Sequence, residues 1–251
     1  MAETPEKSTE LPVGELREIT LRIPGEHFFC DSISLPSSLD SEKFAEFAEF
    51  ALNEGGLSPY PADQLAWGYQ ADEELGKIFI FAAPLVKLRQ VGWQNFEVFR
   101  RVFPSFISLL GSDYSEPTVA LLLFEETLTA ASFQPESSVP DLLYSIPLDP
   151  EEGNEATEVA RGKLLSLFDL ENYQISKDIL VADDVSRTSD GFFKFEHQWL
   201  EGQDSDLSLD QDVLLSADEL WTSDLRQRDF KEVEQKRRNQ ARARWKGILT
   251  W

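Results

Sequence analysis

The stretch LAWGYQADEELGKIFIFAA, residues 65–83, contains the clearest strand signal in the chain. Leu65, Trp67 and Tyr69 alternate along its first part, as expected for one face of a β-strand. KIFIFAA continues as a second apolar run, and the polar segment ADEELG lies between the two. Two strand-like runs joined by a short polar connection predict a β-hairpin.

The residues around this hairpin predict a first structural unit. LREITLRI (16–23) and HFFCDSISL (27–35) are two strand-like runs that predict an earlier hairpin. SEKFAEFAEFALNEGG (41–56) has apolar residues at helical spacing and predicts an amphipathic helix. WQNFEVFRRVFPSFISLLG (93–111) predicts a second helix, kinked or split at Pro104.

The second half of the chain repeats this order of elements. TVALLLF (118–124) and LTAASFQ (128–134) predict a hairpin, and the first run lacks alternation, as in a strand buried on both faces. The further predicted elements are a strand at 142–148, a helix at 154–170 and strands at 174–182 and 191–200. We therefore predict an α/β fold made of two duplicated subdomains with mixed sheets, followed by a charged helix.

Composition and pattern together suggest four parts of the chain. Residues 1–13 are polar and predicted to be disordered. The first subdomain is assigned to 14–113 and the second to 117–210. The C-terminal segment, 211–251, is predicted to be helical from Ser216 onward and to contain a basic, membrane-proximal helix.

Charge is distributed unevenly along the chain. The formal net charge is −23, yet the segment 226–246 holds nine Lys and Arg residues against three Asp and Glu residues. The acidic body would repel phosphates, which argues against nucleic acid as a partner. Two interpretations of the acidic surface stay open, a solvated surface and a surface for a basic partner.

No catalytic, cofactor-binding or metal-binding arrangement is predicted. His27 and Cys30 form an H-x-x-C pair without the second pair that a zinc site requires. The glycine patterns of serine hydrolases, dinucleotide-binding domains and P-loops do not occur in the sequence. The aromatic residues Tyr60, Trp67 and Tyr69 are candidates for a partner surface; packing of a hairpin against a helix is the alternative.

Two segments resemble a known family. LSPYPADQLAWGY (57–69) and KIFIFAAPLVKLRQ (77–90) resemble the cytoplasmic part of bacterial platform proteins, namely the L protein of type II secretion systems and the M protein of type IV pili. The tail WTSDLRQRDFKEVEQKRRNQARARW (221–245) is similar to the motif and basic stretch that precede the membrane helix of the L protein. It departs from that motif at Arg226, Arg228 and Asp229.

The resemblance implies an actin-like, ribonuclease-H-like fold. Actin-like ATPases carry Asp-x-Gly turns in their hairpins for phosphate and metal. Here the first turn reads Ile23-Pro24-Gly25-Glu26 and the turn of the second half reads Phe124-Glu125-Glu126-Thr127. Since neither turn has the motif, we expect no ATP hydrolysis, no cofactor and no enzymatic activity.

The basic C-terminal stretch, KRRNQARARWKGILTW (236–251), is typical of the cytoplasmic end of a membrane helix. We expect the chain to lie at the cytoplasmic face of the inner membrane, with a single-pass anchor after residue 251. The predicted membrane-proximal residues are Lys236, Arg237, Arg238, Arg242, Arg244, Trp245, Lys246 and Trp251.

Three functions are consistent with these patterns. The first is a non-enzymatic scaffold of a secretion or pilus platform, which docks a cytoplasmic ATPase or a sibling platform protein, with the anionic membrane surface and a second copy of the chain as further partners. The second is an actin-like ATPase or kinase that binds nucleotide. The third is a soluble acidic adaptor whose basic helix is exposed to solvent.

Overall fold

The structure is a computed structural model that describes residues 20–111, 114–149, 154–168, 174–187, 193–199 and 215–249. The predicted disorder of 1–13 and the predicted membrane-proximal Trp251 lie outside these residues. The described elements belong to an α/β protein with both parallel and antiparallel strand pairs, which confirms the predicted fold class with mixed sheets.

The predicted hairpin at 65–83 is confirmed. Strands β3 (Leu65–Asp72) and β4 (Lys77–Pro84) pair antiparallel, with Tyr69 opposite Ile80. Strand β2 (Phe29–Ser34) pairs with the other edge of β4, giving the order β2-β4-β3. Helix α1 (Phe44–Asn53) packs on one face of this sheet through its apolar residues, as its spacing predicts.

The hairpin predicted between 16–23 and 27–35 is wrong. Strand β1 (Thr20–Ile23) pairs parallel with β5 (Arg101–Pro104), and β2 pairs with β4. The intervening residues form a 3-10 turn at Gly25–His27, in which the N–H groups of His27 and Phe28 bond to Pro24 and Gly25. This turn directs the chain away from β1 instead of back along it.

The helix predicted over 93–111 is also wrong. The segment contains a 3-10 turn at Phe96–Val98, strand β5 and a second 3-10 turn at Ser105–Leu109. Pro104 has no N–H to give to a helix, and it ends the strand instead. Val102 and Phe103 are buried beside β1, so long-range packing outweighs the local helical spacing.

The second half contains six elements, with the bounds β6 Thr118–Phe124, β7 Thr127–Phe133, β8 Leu142–Pro147, α3 Asn154–Leu165, β9 Gln174–Arg187 and β10 Phe193–Trp199. The strands form a five-stranded mixed sheet in the order β10-β9-β6-β7-β8. Its central strand β6 pairs antiparallel with β7 and parallel with β9. The connection between the parallel strands β6 and β9 includes helix α3, as is usual for a crossover.

One hydrophobic core joins the two halves. Phe79 and Phe81 of β4 lie in the same buried cluster as Phe106 and as Phe133 of β7. The rings of Phe81 and Phe106 meet edge to face, with 5.5 Å between their centroids. The halves are therefore packed on each other through apolar side chains, while the subdomain bounds 14–113 and 117–210 stay a prediction.

The C-terminal segment is helical from residue 217, with one interruption. Helix α2 (Leu85–Gln90) lies earlier in the chain, and the tail supplies α4 (Ala217–Ser223) and α5 (Arg228–Leu249). Ser216 caps α4 in a reciprocal arrangement with Glu219. Within the described residues, no helix combines the length and the apolar composition that crossing a membrane requires.

Candidate functional site: a groove between helices α1 and α5

Helix α4 packs closely against strand β3, the edge of its sheet. A Cβ atom on Gly68 would lie 2.9 Å from the carbonyl oxygen of Thr222, so glycine permits this approach. The side-chain amide of Gln70 donates to the carbonyl of Glu219 at 2.8 Å and to the hydroxyl of Ser223 at 2.5 Å. These contacts fix α4 on the first half of the molecule.

The three residues after α4 attach to strand β5. The N–H of Leu225 donates to the carbonyl of Val102 at 2.8 Å. The N–H of Val102 in turn donates to the Asp224 carboxylate at 3.2 Å. The segment is therefore hydrogen-bonded to the edge of β5 that does not pair with β1. This attachment fixes the position at which α5 begins.

Arg226 is a buried ionic hub between α4 and α5. Its guanidinium donates to the Asp224 carboxylate at 2.7 and 2.9 Å and to the Glu234 carboxylate at 2.9 Å. It also donates to the carbonyl of Phe99 at 3.2 Å. Burial alone would lower the pKa of Arg226, but the hydrogen bonds and charges of Asp224 and Glu234 outweigh burial and raise it.

Lys231 joins the two helices from the α5 side. Its ammonium donates to the carbonyls of Asp224 at 2.7 Å and Trp221 at 3.1 Å, which satisfies the C-terminal end of α4. The ammonium also lies 5.4 Å from the centre of the Trp221 ring. Burial lowers the pKa of Lys231 to about 8, against the attraction of Asp224 and with added repulsion from Arg226 and Arg228.

These attachments leave a groove of about 730 Å³ between α1 and α5. Strand β3 and helix α4 form its floor, where Trp67, Tyr69 and Trp221 are each partly buried. Burial raises the pKa of Tyr69, and the charge of Arg228 opposes this rise. The floor thus presents three large aromatic side chains that the fold only partly covers.

Charged residues form the walls of the groove. Arg228 at the start of α5 makes an ion pair with Glu232 at 3.1 Å and lies 3.9 Å from Glu49 on α1. Asp63 and Lys236 also line the groove and are exposed. The groove is therefore an aromatic floor between polar walls, and this composition is common at protein–protein interfaces.

The structure brings together two of the three aromatic residues predicted for a partner surface. All three pack against the cluster beneath α1, but only Trp67 and Tyr69 also line the groove. The prediction of a partner surface missed Trp221 and Lys231. The sequence signal for these two residues is DLRQ (224–227), a short interruption between two helical patterns. Such an interruption allows the chain to turn back onto the body.

The predicted membrane-proximal residues lie along α5, except for Trp251. Lys236 and Arg237 are exposed in the middle of this helix. The helix continues through Arg238, Arg242, Arg244, Trp245 and Lys246.

The turns at 23–26 and 124–127 lie next to each other. A carboxylate oxygen of Glu26 accepts a hydrogen bond from the Thr127 hydroxyl at 3.2 Å. A Cβ atom on Gly25 would lie 2.5 Å from the Ser145 hydroxyl and 2.8 Å from the Thr129 hydroxyl. The first turn therefore sits directly on strands β7 and β8, with an acid at the junction.

Two further features bear on chemistry. Among the described residues, no group of three or more His, Cys, Asp and Glu side chains is arranged to hold a metal ion. Burial, with a smaller contribution from the charge of Asp31, raises the pKa of the Cys30 thiol. A thiol with a raised pKa is mostly protonated at neutral pH and is a poor nucleophile.

No protein-family model matches the chain, and none of the curated proteins compared with it does. Among solved structures, it is similar to the cytoplasmic domain of EpsL, an inner membrane component of the type II secretion system of Vibrio cholerae. The two share 13% sequence identity over 84% of this chain and 78% of the other, with a TM-score of 0.42. A Bacteroides thetaiotaomicron protein of unknown function with an actin-like ATPase fold is 12% identical over 66% of this chain and 60% of its own, with a TM-score of 0.33. The chain is thus similar in structure to a secretion-system cytoplasmic domain, the class of protein that its sequence resembles, and to a protein with an actin-like ATPase fold.

Proposed function

We propose that this chain is a non-enzymatic scaffold domain of a secretion or pilus platform, which holds a protein partner at the cytoplasmic face of the inner membrane. The observation that carries the proposal is the groove between α1 and α5. Trp67, Tyr69 and Trp221 remain partly exposed there, on the floor formed by β3 and α4. Large aromatic side chains in such positions supply much of the binding energy at protein interfaces.

The way the tail is attached supports a scaffold role. Helix α5 begins at the groove and is tied to the body by Arg226 and Lys231. Further along, the same helix carries the basic residues expected at an anionic membrane surface. A partner bound in the groove would therefore be held close to the membrane-proximal end of the domain.

The turn geometry supports the non-enzymatic part of the proposal. Backbone amides at a glycine-rich turn can bind a phosphate, but a carboxylate at the same place repels one. Glu26 is the last residue of the first turn, and its carboxylate accepts a hydrogen bond from Thr127 of the second turn. Gly25 is packed against hydroxyl groups of β7 and β8, which leaves no room there for even a methyl group.

Site-specific photocrosslinking tests the scaffold role. A photoreactive phenylalanine analogue at position 67 in the native host should crosslink to a component of a secretion or pilus assembly, identified by mass spectrometry. The same analogue at Val86, which is 51% exposed and lies outside the groove, is the matched control. Crosslinks to proteins unrelated to such assemblies, or equal yields at both positions, would contradict the proposal.

Thermal unfolding with nucleotide tests the absence of a nucleotide site. Because any ligand of the native state stabilises it, binding of Mg-ATP at millimolar concentration would raise the melting temperature. We expect the melting temperature to stay the same within error. A rise of several degrees that Glu26→Gln alters would favour the nucleotide-binding alternative.

A further inference from the structure

The walls of the groove carry more accessible negative charge than positive charge. Four acids line it, and two of them, Asp63 and Asp229, are exposed. Within the described part of the chain, the carboxylates of these two residues make no ion pair and no side-chain hydrogen bond. Unpaired carboxylates at a groove attract a cation from outside the chain.

The two buried cations of the groove do not cancel this charge. Arg226 is already matched by the carboxylates of Asp224 and Glu234. Lys231 is buried, and its ammonium donates to backbone carbonyls. Neither group is therefore available to Asp63 or Asp229.

The two accessible cations are Arg228 and Lys236. Arg228 lies 3.1 Å from Glu232 and 3.9 Å from Glu49, so acids of the groove already share its charge. Lys236 lies about two helical turns after Asp229, which places it about 10 Å away along α5. The start of α5 therefore keeps an excess of negative charge.

The aromatic floor gives a second reason to expect a cation. Inside the chain, the Lys231 ammonium already lies 5.4 Å from the centre of the Trp221 ring. No cation of the described residues lies over the rings of Trp67 and Tyr69. A cation is attracted to the face of an aromatic ring, and the planar guanidinium of arginine stacks on it particularly well. Partly exposed rings beside unpaired carboxylates thus suit arginine side chains.

The size of the groove limits the occupant to a segment. A volume of about 730 Å³ admits several side chains but no folded domain. The formal net charge of the chain is −23 although the segment 226–246 is basic, so the field of the body also favours the approach of a basic segment.

We propose that the groove binds a basic segment of a partner protein, with arginine side chains on the aromatic floor and cationic head groups at Asp63 and Asp229. This inference rests on the proposed scaffold function and specifies the chemistry of the docked segment. The basic half of α5 could occupy the groove only from a second copy, because within one chain it continues the helix that forms the wall.

Fluorescence anisotropy with the full chain at physiological salt tests this chemistry. The probe is a labelled 16-residue synthetic peptide with Arg at every third position among Leu and Ser residues. A second peptide has Glu in place of each Arg. We expect saturable binding of the Arg peptide and no saturable binding of the Glu peptide. Tighter binding of the Glu peptide would overturn the inference.

Two matched double variants locate the site. Asp63→Asn with Asp229→Asn removes the unpaired carboxylates and should weaken binding of the Arg peptide about three- to thirtyfold. Glu73→Gln with Glu74→Gln removes the same charge from exposed residues outside the groove. This control should change the affinity less than about twofold, because salt screens charges more than about 8 Å apart. Equal losses would mean attraction to the acidic body as a whole, and the inference would fall.

An aromatic variant tests the floor separately. Trp67→Leu keeps an apolar side chain but removes the ring, so it should weaken the Arg peptide more than a peptide with Lys in place of each Arg. The readout is the ratio of the two affinities, because partial unfolding would lower both by the same factor. An unchanged ratio would contradict stacking of arginine on the floor.

The peptide and the photocrosslink at position 67 separate the inference from the scaffold function. If the crosslink to a platform component forms while the groove variants leave peptide binding unchanged, the scaffold function stands and the inferred chemistry is wrong. If the peptide binds as expected but the crosslinks reach only unrelated proteins, the basic-segment site stands and the platform role is wrong.

Two other occupants would be recognised by the same groove variant. A dimer in sedimentation velocity that Asp63→Asn with Asp229→Asn dissociates would identify a second copy as the occupant. Binding to phosphatidylcholine vesicles that this variant weakens, and the control variant does not, would identify a lipid head group. Either result would overturn docking of a separate protein segment.

Discussion

Lys231 shows how a residue in a charged helix can be structural. Its ammonium is nearly buried and satisfies two carbonyls at the end of α4, yet no carboxylate lies within ion-pair distance in the described part of the chain. The sequence places it in the charged segment 226–246, which holds nine basic residues and otherwise suggests a solvated face. The turn of the chain at 224–227 brings the start of α5 back onto α4, and this contact buries Lys231 while the basic residues further along α5 stay exposed.

We predict that Lys231 makes stability depend on pH in the alkaline range. Its folded pKa of about 8 is lower than the ordinary value of 10.5, so the unfolded chain binds more protons between these pH values. The stability that this group contributes should therefore rise from pH 8 toward 10.5, by at most about 1.4 kcal/mol per pH unit. The measurement is the difference in unfolding free energy between wild type and Lys231→Met from pH 7 to 9.5.

Cys30 and Tyr69 act in the opposite direction, since their raised pKa values destabilise the fold at alkaline pH. Both residues are present in wild type and in Lys231→Met, so their contribution cancels in the difference. If the difference in unfolding free energy between wild type and Lys231→Met does not change with pH, the prediction that burial lowers the pKa of Lys231 is wrong.

Gly68 is the second residue with a specific structural role. A Cβ atom there would lie 2.8 Å from the ring of Phe81 and 2.9 Å from the carbonyl of Thr222. Gly68→Ala should therefore lower the unfolding free energy by about 1–3 kcal/mol, as overpacking does. Gly162→Ala is the control, because that glycine is in helix α3 with open space around it and alanine should stabilise the helix by about 1 kcal/mol. Denaturant titration should give opposite signs for the two variants.

At the scale of elements, local patterns predicted the pieces whose partners are close in sequence. The β3–β4 hairpin could be predicted because its strands are consecutive and alternate. The β1–β5 pair could not be predicted, because β2, β3 and β4 all lie between its two strands in sequence. Each of the two strands is also only four residues long. Four residues give too little periodicity to distinguish strand from helix, so tertiary packing decides.

The candidate site follows the same rule. Trp67 and Tyr69 were candidates for a partner surface because aromatic residues are dense in this part of the chain. The other side of the groove comes from α4 and α5, at the far end of the chain. In the segment 57–69, only Gly68 indicates a contact with α4, because its missing side chain allows another element to approach closely.

The attachment of α5 depends on Arg226. Arg226→Leu would leave Asp224 buried without its ionic partner, and we expect a loss of about 3–5 kcal/mol in unfolding free energy. Arg228→Leu is the matched control, since Arg228 and Glu232 are exposed and such pairs contribute at most about 1 kcal/mol.

A second substitution makes the test specific. Asp224→Asn in the Arg226→Leu background removes the unpaired charge and should recover part of the loss. If Arg226→Leu and Arg228→Leu lower the unfolding free energy by the same amount, the buried ion pairs of Arg226 do not stabilise the attachment of α5.

For the whole molecule, the separation of charge gives a prediction about membranes. The basic half of α5 should bind anionic vesicles, since each Lys or Arg near such a surface contributes about 1 kcal/mol. Replacing Lys236, Arg237, Arg238, Arg242, Arg244 and Lys246 by Gln should lower affinity in vesicle sedimentation more than about tenfold. Lys43→Gln with Lys87→Gln, two exposed lysines on the body, should leave it unchanged. Equal loss in both variants would contradict a membrane role for α5.

The attachment of the tail also has a consequence for synthesis. Val102 and Asp224 are 122 residues apart, and Gln70 and Ser223 are 153 apart. At the usual pace of translation, β5 waits roughly 6 to 25 s on the ribosome for the segment that completes its hydrogen bonds. During that time the edges of β3 and β5 are open to other nascent chains. Slowed translation beyond residue 111, or an expression fragment that stops before α4, should therefore yield aggregates instead of a folded first half.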